Sequence, residues 1–408
     1  MNGFKSGMIY IFANINNTTM EASCTLCKRI LLPLILLIII ACSGESDKEA
    51  GALESIFPKS KAIDSLLNVL HGQGRFNAAI LVAEADSVIY KNGFGYANFE
   101  TKDTLTSESC FRLASVSKQF TAMCIMILEE RGRLSYDDNI TQYLPELSFY
   151  KGVTIRHLLW HTGGLPDYMD LFNKHWNKDK LAFKEDVLSL MAEHQPEIDF
   201  RPGEKYEYSN TGYSLLANIV QRASGVDFNE FITENVFKKT GMSASLVCNG
   251  AADEKIHNRV YGYSYNRFSK KMADTDYHYL NGVVGDGGLY STIEDLFKWD
   301  QALYTGKLVS METLELAFSG YKLNNSDTPG DYGFGWGINK NDSTDIVSHS
   351  GSWVGFSTFI QRDLGNKTTI ILLNNTSDEV YYIVELIEAI LLDKPIRMPE
   401  DLKTFDLY

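Results

Sequence analysis

The sequence predicts an α/β protein of the α+β kind: one antiparallel sheet drawn from both ends of the chain and flanked by helices, with a mostly helical region inserted between its halves. Three observations carry this expectation. Short apolar and β-branched runs occur early, at 78–83 and 87–90. They return late, near Ile346 and over 355–361 and 368–374. The intervening stretch, from Ser115 to about Thr305, reads as helices and loops.

Taken in order, a helix from about Pro58 to His71 opens the folded part, with Ile63, Leu66, Leu67 and Leu70 on one stripe and Gly72 as its stop. Two strands follow, joined by Glu84-Ala85-Asp86. A helix begins at Ser115, where Phe120, Met123, Cys124, Ile127 and Leu128 recur at steps of three and four before Arg131-Gly132 ends the pattern. Another helix, Gly212 to Ala223, follows the turn Arg201-Pro-Gly-Glu204. Ser291-Thr-Ile-Glu294 has the form of a helix capping box. Val347 to Ser352 reads as the end of a strand, and a closing helix runs from about Glu379 to Leu392. Strands at both ends around a helical middle place a site in the cleft between the two parts.

Lys28-Arg29 leads into twelve apolar residues, Ile30 to Ala41, too few for a membrane span of about 20 and suited to a signal h-region. The run ends Ile39-Ile-Ala-Cys42, which resembles the bacterial lipoprotein box and makes Cys42 the expected lipid attachment site. Met20 to Ala41 already forms a complete leader. The polar, acidic stretch 43–50 reads as a solvated tether, and without aspartate at 43 an outer-membrane destination is expected by that resemblance. The expected organisation is therefore a leader at 1–41, an anchor and tether at 42–55, a folded domain at 56–395 and a tail at 396–408. Within the domain the sheet part takes about 56–114 and 306–395, and the helical part about 115–305.

Removing 41 of 408 residues leaves 367, and because Lys5, Lys28 and Arg29 outnumber Glu21 by two, the net charge goes from −14 to −16. That acidity excludes nucleic acid as an expected partner. Beyond Cys42 only Cys110, Cys124 and Cys248 remain, an odd number that defines no disulfide framework, although Cys110 and Cys124 are one conceivable pair. The sequence leaves the oligomeric state open.

Ser115 and Lys118 stand three apart at the start of an apolar helix, so the amine lies on the same face as the hydroxyl, about 5–6 Å away between Cβ atoms. A helix N-terminus also offers free N–H groups to developing negative charge. Ser148/Lys151 and Ser319/Lys322 share the spacing without a long helical pattern after them. Taken alone, Ser115 and Lys118 fit an N-cap serine beside a solvated lysine equally well. Two further segments add partners. In Tyr206-Glu-Tyr-Ser-Asn210, an extended loop puts Tyr208 and Asn210 on one side. In Val347-Ser-His-Ser-Gly-Ser352, Gly351 lets another backbone approach closely.

Serine-x-x-lysine, then tyrosine-x-asparagine, then a basic residue-x-glycine resembles the penicillin-recognising serine hydrolases. The likeness is to the class C β-lactamase and D-alanyl-D-alanine carboxypeptidase type, with its related esterases and D-aminopeptidases, and it spans about Arg75 to Thr376. Thr154 to Pro166, Gly285 to Asp295 and Tyr332-Gly-Phe-Gly-Trp336 are similar to further stretches of that family. The resemblance implies a β-lactamase/transpeptidase-like fold and an acyl-enzyme mechanism without a cofactor. By it, Ser115 is the nucleophile, Lys118 and Tyr208 share the proton, and Asn210 orients lysine or substrate. His349, Gly351 and Ser352 line the substrate, and the N–H groups of Ser115 and Ser352 form an oxyanion hole. The substrate is then a small molecule or peptide: an ester, an amide or a D-amino-acid peptide. An alternative is a sensor that acylates without turnover.

Histidine at 349, where β-lactam-hydrolysing relatives usually carry lysine, weakens the expected attraction for a substrate carboxylate unless an arginine supplies it. Gly163 also departs from the family's usual serine and is taken as structural. For Lys118 to act near neutral pH its amine must be buried, with a pKa roughly three units below the usual value of about 10.4. His157 and His161 have helical ligand spacing, but no glutamate follows His157 as a zincin requires, so no metal is expected. There is neither a Gly-x-Ser-x-Gly elbow nor a phosphate-binding loop.

Overall fold

The structure is a computed structural model that describes residues 46–248, 256–266, 268–269, 271–341, 344–377 and 380–396. The expected leader, Cys42 and the tail from 397 lie outside the described residues. In chain order the strands are β1 (Ala78–Glu84), β2 (Ser87–Gly93), β3 (Phe111–Arg112), β4 (Leu246–Val247), β5 (Tyr263–Asn266), β6 (Lys271–Asp274), β7 (Leu289–Ser291), β8 (Gly337–Asn341), β9 (Thr344–Trp353), β10 (Phe356–Asp363) and β11 (Thr368–Asn374). The helices are α1 (Ser46–Gly72), α2 (Lys118–Glu130), α3 (Ile155–Leu159), α4 (Tyr168–His175), α5 (Lys184–His194), α6 (Asn210–Ser224), α7 (Phe228–Ile232), α8 (Lys238–Thr240), α9 (Ile293–Ala302), α10 (Met311–Ala317) and α11 (Tyr381–Leu391).

The main sheet has the order β2-β1-β11-β10-β9-β8, and all its pairings are antiparallel. The first strands of the chain thus join the last at β1–β11, with Ala78 opposite Asn374 and Glu84 opposite Thr368. The period-two alternation of β1 divides the core. Ala78, Ile80 and Val82 face Ile63, Leu67 and Leu70 of α1 and Ile383, Val384 and Ile387 of α11. Ala79, Leu81 and Ala83 face the larger core shared with α2, α6 and α9.

Several elements differ from expectation. α1 starts at Ser46 rather than near Pro58, so the helix takes in residues expected to form the tether, and the proline lies within it. The edge strand β8, Gly-Ile-Asn-Lys-Asn, escaped detection because an edge strand with one exposed face has no apolar run to read. α2 is buried all round, from Lys118 to Leu128, as a helix without a polar face must be. α9 packs on β1 and β11, so the sheet part includes residues that the boundary at 305 assigned to the helical part. The cap of α9 is Thr292, whose hydroxyl accepts the Asp295 N–H, one residue beyond the expected box. The Asp295 carboxylate instead accepts from Ala244 N and Ser245 Oγ. Among the described residues no disulfide joins Cys110, Cys124 or Cys248, and Cys110 clusters with Cys248 rather than Cys124.

Candidate active site

Ser115 sits in a 3-10 turn, Ala114–Ser117, between β3 and α2. Ala114 before it has φ +49°, a left-handed conformation that costs an alanine roughly 1 kcal/mol or more. Contacts on several sides hold the turn in place. The Ser117 hydroxyl accepts the Leu289 N–H, Thr121 Oγ1 donates to Gly285 O, and Thr358 Oγ1 donates to Leu113 O at 2.7 Å.

Gly351 on β9 passes so close that a Cβ there would lie 2.3 Å from Leu113 O, 2.5 Å from Thr358 Oγ1 and 3.0 Å from Ser115 N. The glycine is required by contact rather than by backbone freedom. Gly351→Ala is expected to cost about 3 kcal/mol of stability by overpacking and, by moving the serine turn some tenths of an ångström, to lower kcat/KM by up to about 100-fold. Urea denaturation and ester hydrolysis measure the two effects separately.

Lys118 is fully buried. Its Nζ lies 3.0 Å from Ser115 Oγ, 2.8 Å from Asn210 Oδ1 and 2.8 Å from the Asp286 carbonyl oxygen. Burial lowers the amine to about 8, against the opposing attraction of Asp286 and Asp167. In the neutral form an amine has two N–H groups and one lone pair. Asn210 Oδ1 and Asp286 O can only accept, so they take both hydrogens, and the lone pair is left facing the Ser115 hydroxyl.

Asn210 is the first residue of α6, capped by Ser209, whose hydroxyl accepts the Gly212 N–H. The Ser209 N–H in turn donates to His161 Nδ1 at 3.0 Å. His161 is buried among the rings of Tyr208, Tyr213 and Tyr332, and so fixes the loop that carries Tyr208. His157 instead accepts the Thr154 N–H and caps α3. The two histidines thus serve separate local structures. Tyr208 is partly exposed to solvent. Its desolvated hydroxyl is held above the usual phenol range, which a hydrogen bond with Ser115 only partly offsets. Lys118 Nζ lies 4.9 Å from the centre of that ring.

β9 supplies the opposite wall. Val354 and Gly355 form a two-residue hairpin turn with φ of +40° and +90°, which makes Trp353 and Phe356 the hydrogen-bonded pair. Ser352 therefore belongs to a non-bonded pair, and its N–H points away from β10. β8 pairs only as far as Ser348, so that side of Ser352 is open. Among the described residues the Ser115 N–H has no acceptor either. Both donors border a small, half-open cleft lined also by Arg112, Tyr168, Asn210, Asp286 and Trp353.

The three remote segments thus meet, but His349 differs from a substrate-facing group. Its Nδ1 lies 2.6 Å from Ser350 O and its Nε2 2.8 Å from the Tyr332 hydroxyl. A carbonyl only accepts, so Nδ1 carries the proton and Nε2 accepts from tyrosine. Burial, aided by Lys118, lowers the imidazole to about 3. Since the unfolded chain takes up this proton below about 6.5 and the folded chain does not until about 3, stability is expected to fall as pH drops through that window. Denaturation midpoints at pH 7 and 4.5 should show a smaller loss in His349→Gln.

The sequence reading missed Asp286, Tyr168, Tyr332 and Arg112. Asp286 lies inside the glycine-rich stretch 285–288, where a lone carboxylate among glycines was the available signal. Arg112 is buried, donates from Nε to the Tyr290 hydroxyl at 3.2 Å, and has no partner at Nη2 among the described residues.

An antiparallel sheet with a serine and a buried lysine at its helical border defines the class: a penicillin-binding-protein-like serine hydrolase. The chain belongs to the Beta-lactamase family, which matches residues 61–392. It is similar to Penicillin-binding protein 4* of Bacillus subtilis (strain 168), with 41% identity over 354 residues that cover 84% of this chain and 78% of that protein. Among solved structures, it resembles the octameric penicillin-binding protein homologue from Pyrococcus abyssi at a TM-score of 0.72 and 28% identity, covering 82% of this chain and 77% of the other. It also resembles the penicillin binding protein from Bacillus halodurans at 0.71 and 27%, covering 79% and 98%.

Proposed function

We propose that this chain hydrolyses esters, amides or D-amino-acid peptides through an acyl-enzyme on Ser115. The observation that carries the reading is the Lys118 amine, buried 3.0 Å from Ser115 Oγ with both of its other contacts to oxygens that only accept. Lys118 takes the serine proton as Oγ attacks the acyl carbon. The N–H groups of Ser115 and Ser352 receive the oxyanion. Tyr208, protonated at rest, gives its phenol proton to the leaving group and regains one from the Lys118 ammonium; the neutral lysine then takes a proton from the water that attacks the acyl carbon and returns it to Ser115 Oγ as the ester breaks.

His349 is neutral and engaged on both nitrogens, so it offers no cation to a β-lactam carboxylate. Arg112 is the cation lining the cleft. Arg112 is thus the residue that can meet a substrate carboxylate in place of His349, while neutral esters need no such partner. We also infer that the protein is an exported lipoprotein held at the outer membrane through Cys42, a reading supported by Lys28-Arg29, the apolar run and Ile39-Ile-Ala-Cys42.

The test is a panel of short-chain p-nitrophenyl esters, D-alanyl-D-alanine peptides and nitrocefin, together with a fluorophosphonate probe mapped by mass spectrometry. Turnover of at least one substrate and an adduct on Ser115 are expected. An adduct at another residue, or none with any reagent, defeats the proposal.

A further inference from the structure

Behind the lysine lies a carboxylate that the acyl-transfer scheme leaves without a task. Asp286 acts on Lys118 in two ways: its backbone oxygen accepts the Nζ hydrogen at 2.8 Å, and its buried carboxylate attracts the amine through space, more strongly than Asp167 does. Asp286 Oδ2 accepts the Tyr168 hydroxyl at 3.0 Å. Tyr168 is anchored in turn, its N–H donating to Thr211 Oγ1 at 2.8 Å, one residue after Asn210. Tyr168 and Asp286 both line the cleft beside Ser115.

We propose that Asp286, oriented by the Tyr168 hydroxyl, is a positioning residue that stabilises the ammonium formed on Lys118 when it takes the serine proton. This deepens the serine hydrolase reading above and rests on it for its catalytic consequence. The logic is that of an acid residue oriented behind a general base, where the carboxylate never takes the proton but favours the charged form of the base. It also explains why a carboxylate is kept in a place that disfavours it. Burial holds Asp286 above the usual carboxylate range, and Lys118 and Tyr168 pull it back.

The other groups facing this pair do not compete for the role. Asp167 acts on Lys118 more weakly than Asp286 and is engaged by the Met169 N–H as the cap of α4. Tyr208 and Tyr213 present rings to the amine, at 4.9 and 5.6 Å. His161 and His349 are held neutral, partly by Lys118 itself.

Asp286→Asn keeps the backbone oxygen and removes only the charge. With a neutral p-nitrophenyl ester, the rising limb of kcat/KM against pH should move to lower pH by about one unit, because the amine loses the partner that favours its proton. The plateau should fall about tenfold, because the ammonium is less stabilised as it forms. Tyr168→Phe should move both in the same direction by less, and it carries the test if Asp286→Asn does not fold. A direct readout needs no turnover: the 13Cε resonance of Lys118, assigned by its absence in Lys118→Met, should titrate at lower pH in Asp286→Asn than in the parent protein. A lower plateau with the limb and the resonance midpoint unmoved would reduce Asp286 to a packing role and overturn the proposal, as would a shift to higher pH. If the parent protein hydrolyses nothing while the resonance midpoint still moves, the hydrolase reading fails and the charge coupling stands.

Discussion

Ser115→Ala is expected to lower kcat for the best ester substrate by about 10⁴- to 10⁶-fold, the range seen when a hydrolase loses its nucleophile. The split between kcat and binding is the informative part. Alanine keeps the backbone N–H of residue 115, and Ser352 is untouched, so the two donors bordering the cleft survive the substitution. The lining from Arg112, Tyr168, Asn210 and Trp353 is also unchanged. Substrate should therefore bind with little change in Kd while turnover collapses, and residual catalysis should reflect the oxyanion donors alone. Side-chain removal costs one contact of the Lys118 amine, which retains Asn210 Oδ1 and Asp286 O. Equilibrium binding of a slowly hydrolysed amide, set beside single-turnover rates, measures both quantities. A variant that keeps more than about a tenth of the parental kcat would show that another residue is the nucleophile.

What could be read from the chain depended on how local the physical cause was. The Ser115–Lys118 pair was visible because helical spacing fixes a neighbour three residues away. Tyr208-x-Asn210 and Gly351 were visible as types in an order, but what they do needed coordinates: Asn210 Oδ1 to orient an amine 92 residues earlier, Gly351 to admit the Leu113 carbonyl. The identity of His349 was legible, and so was its neutrality near pH 7. Its detachment from substrate was not, because that comes from the Tyr332 hydroxyl on a separate segment. The same limit applies to Asp286, whose partners Lys118 and Tyr168 are 168 and 118 residues away. The sheet was predictable from β1, β10 and β11, whose apolar runs are buried on both faces. β8 was not, since three of its five residues are exposed.

The largest effect on pH dependence is expected at Lys118, with a loss of activity second to that at Ser115. Lys118→Met removes the base, and general-base losses run to about 10²–10⁴-fold in kcat/KM. In the parent protein the same quantity should rise with pH through about 8, where the amine gives up its proton. The stability consequence has a definite sign. The amine titrates at about 8 in the folded protein against 10.5 for the free side chain, so between those values the unfolded chain holds more protons than the folded one. Stability of the parent protein must therefore increase with pH over that window. The cost of keeping a buried ammonium is fully present below about 8 and amounts to roughly 3 kcal/mol at 1.36 kcal/mol per unit. Methionine carries no proton, and its failure to satisfy Asn210 Oδ1 and Asp286 O is a penalty independent of pH. The difference in unfolding free energy between parent and Lys118→Met should thus shift by about 3 kcal/mol in favour of the parent between pH 7 and pH 11, whatever its starting value. Urea denaturation of both proteins at matched pH values gives that difference directly. A flat difference across the window would mean that the amine stays charged in the fold, and a charged amine has no lone pair with which to take the proton of Ser115.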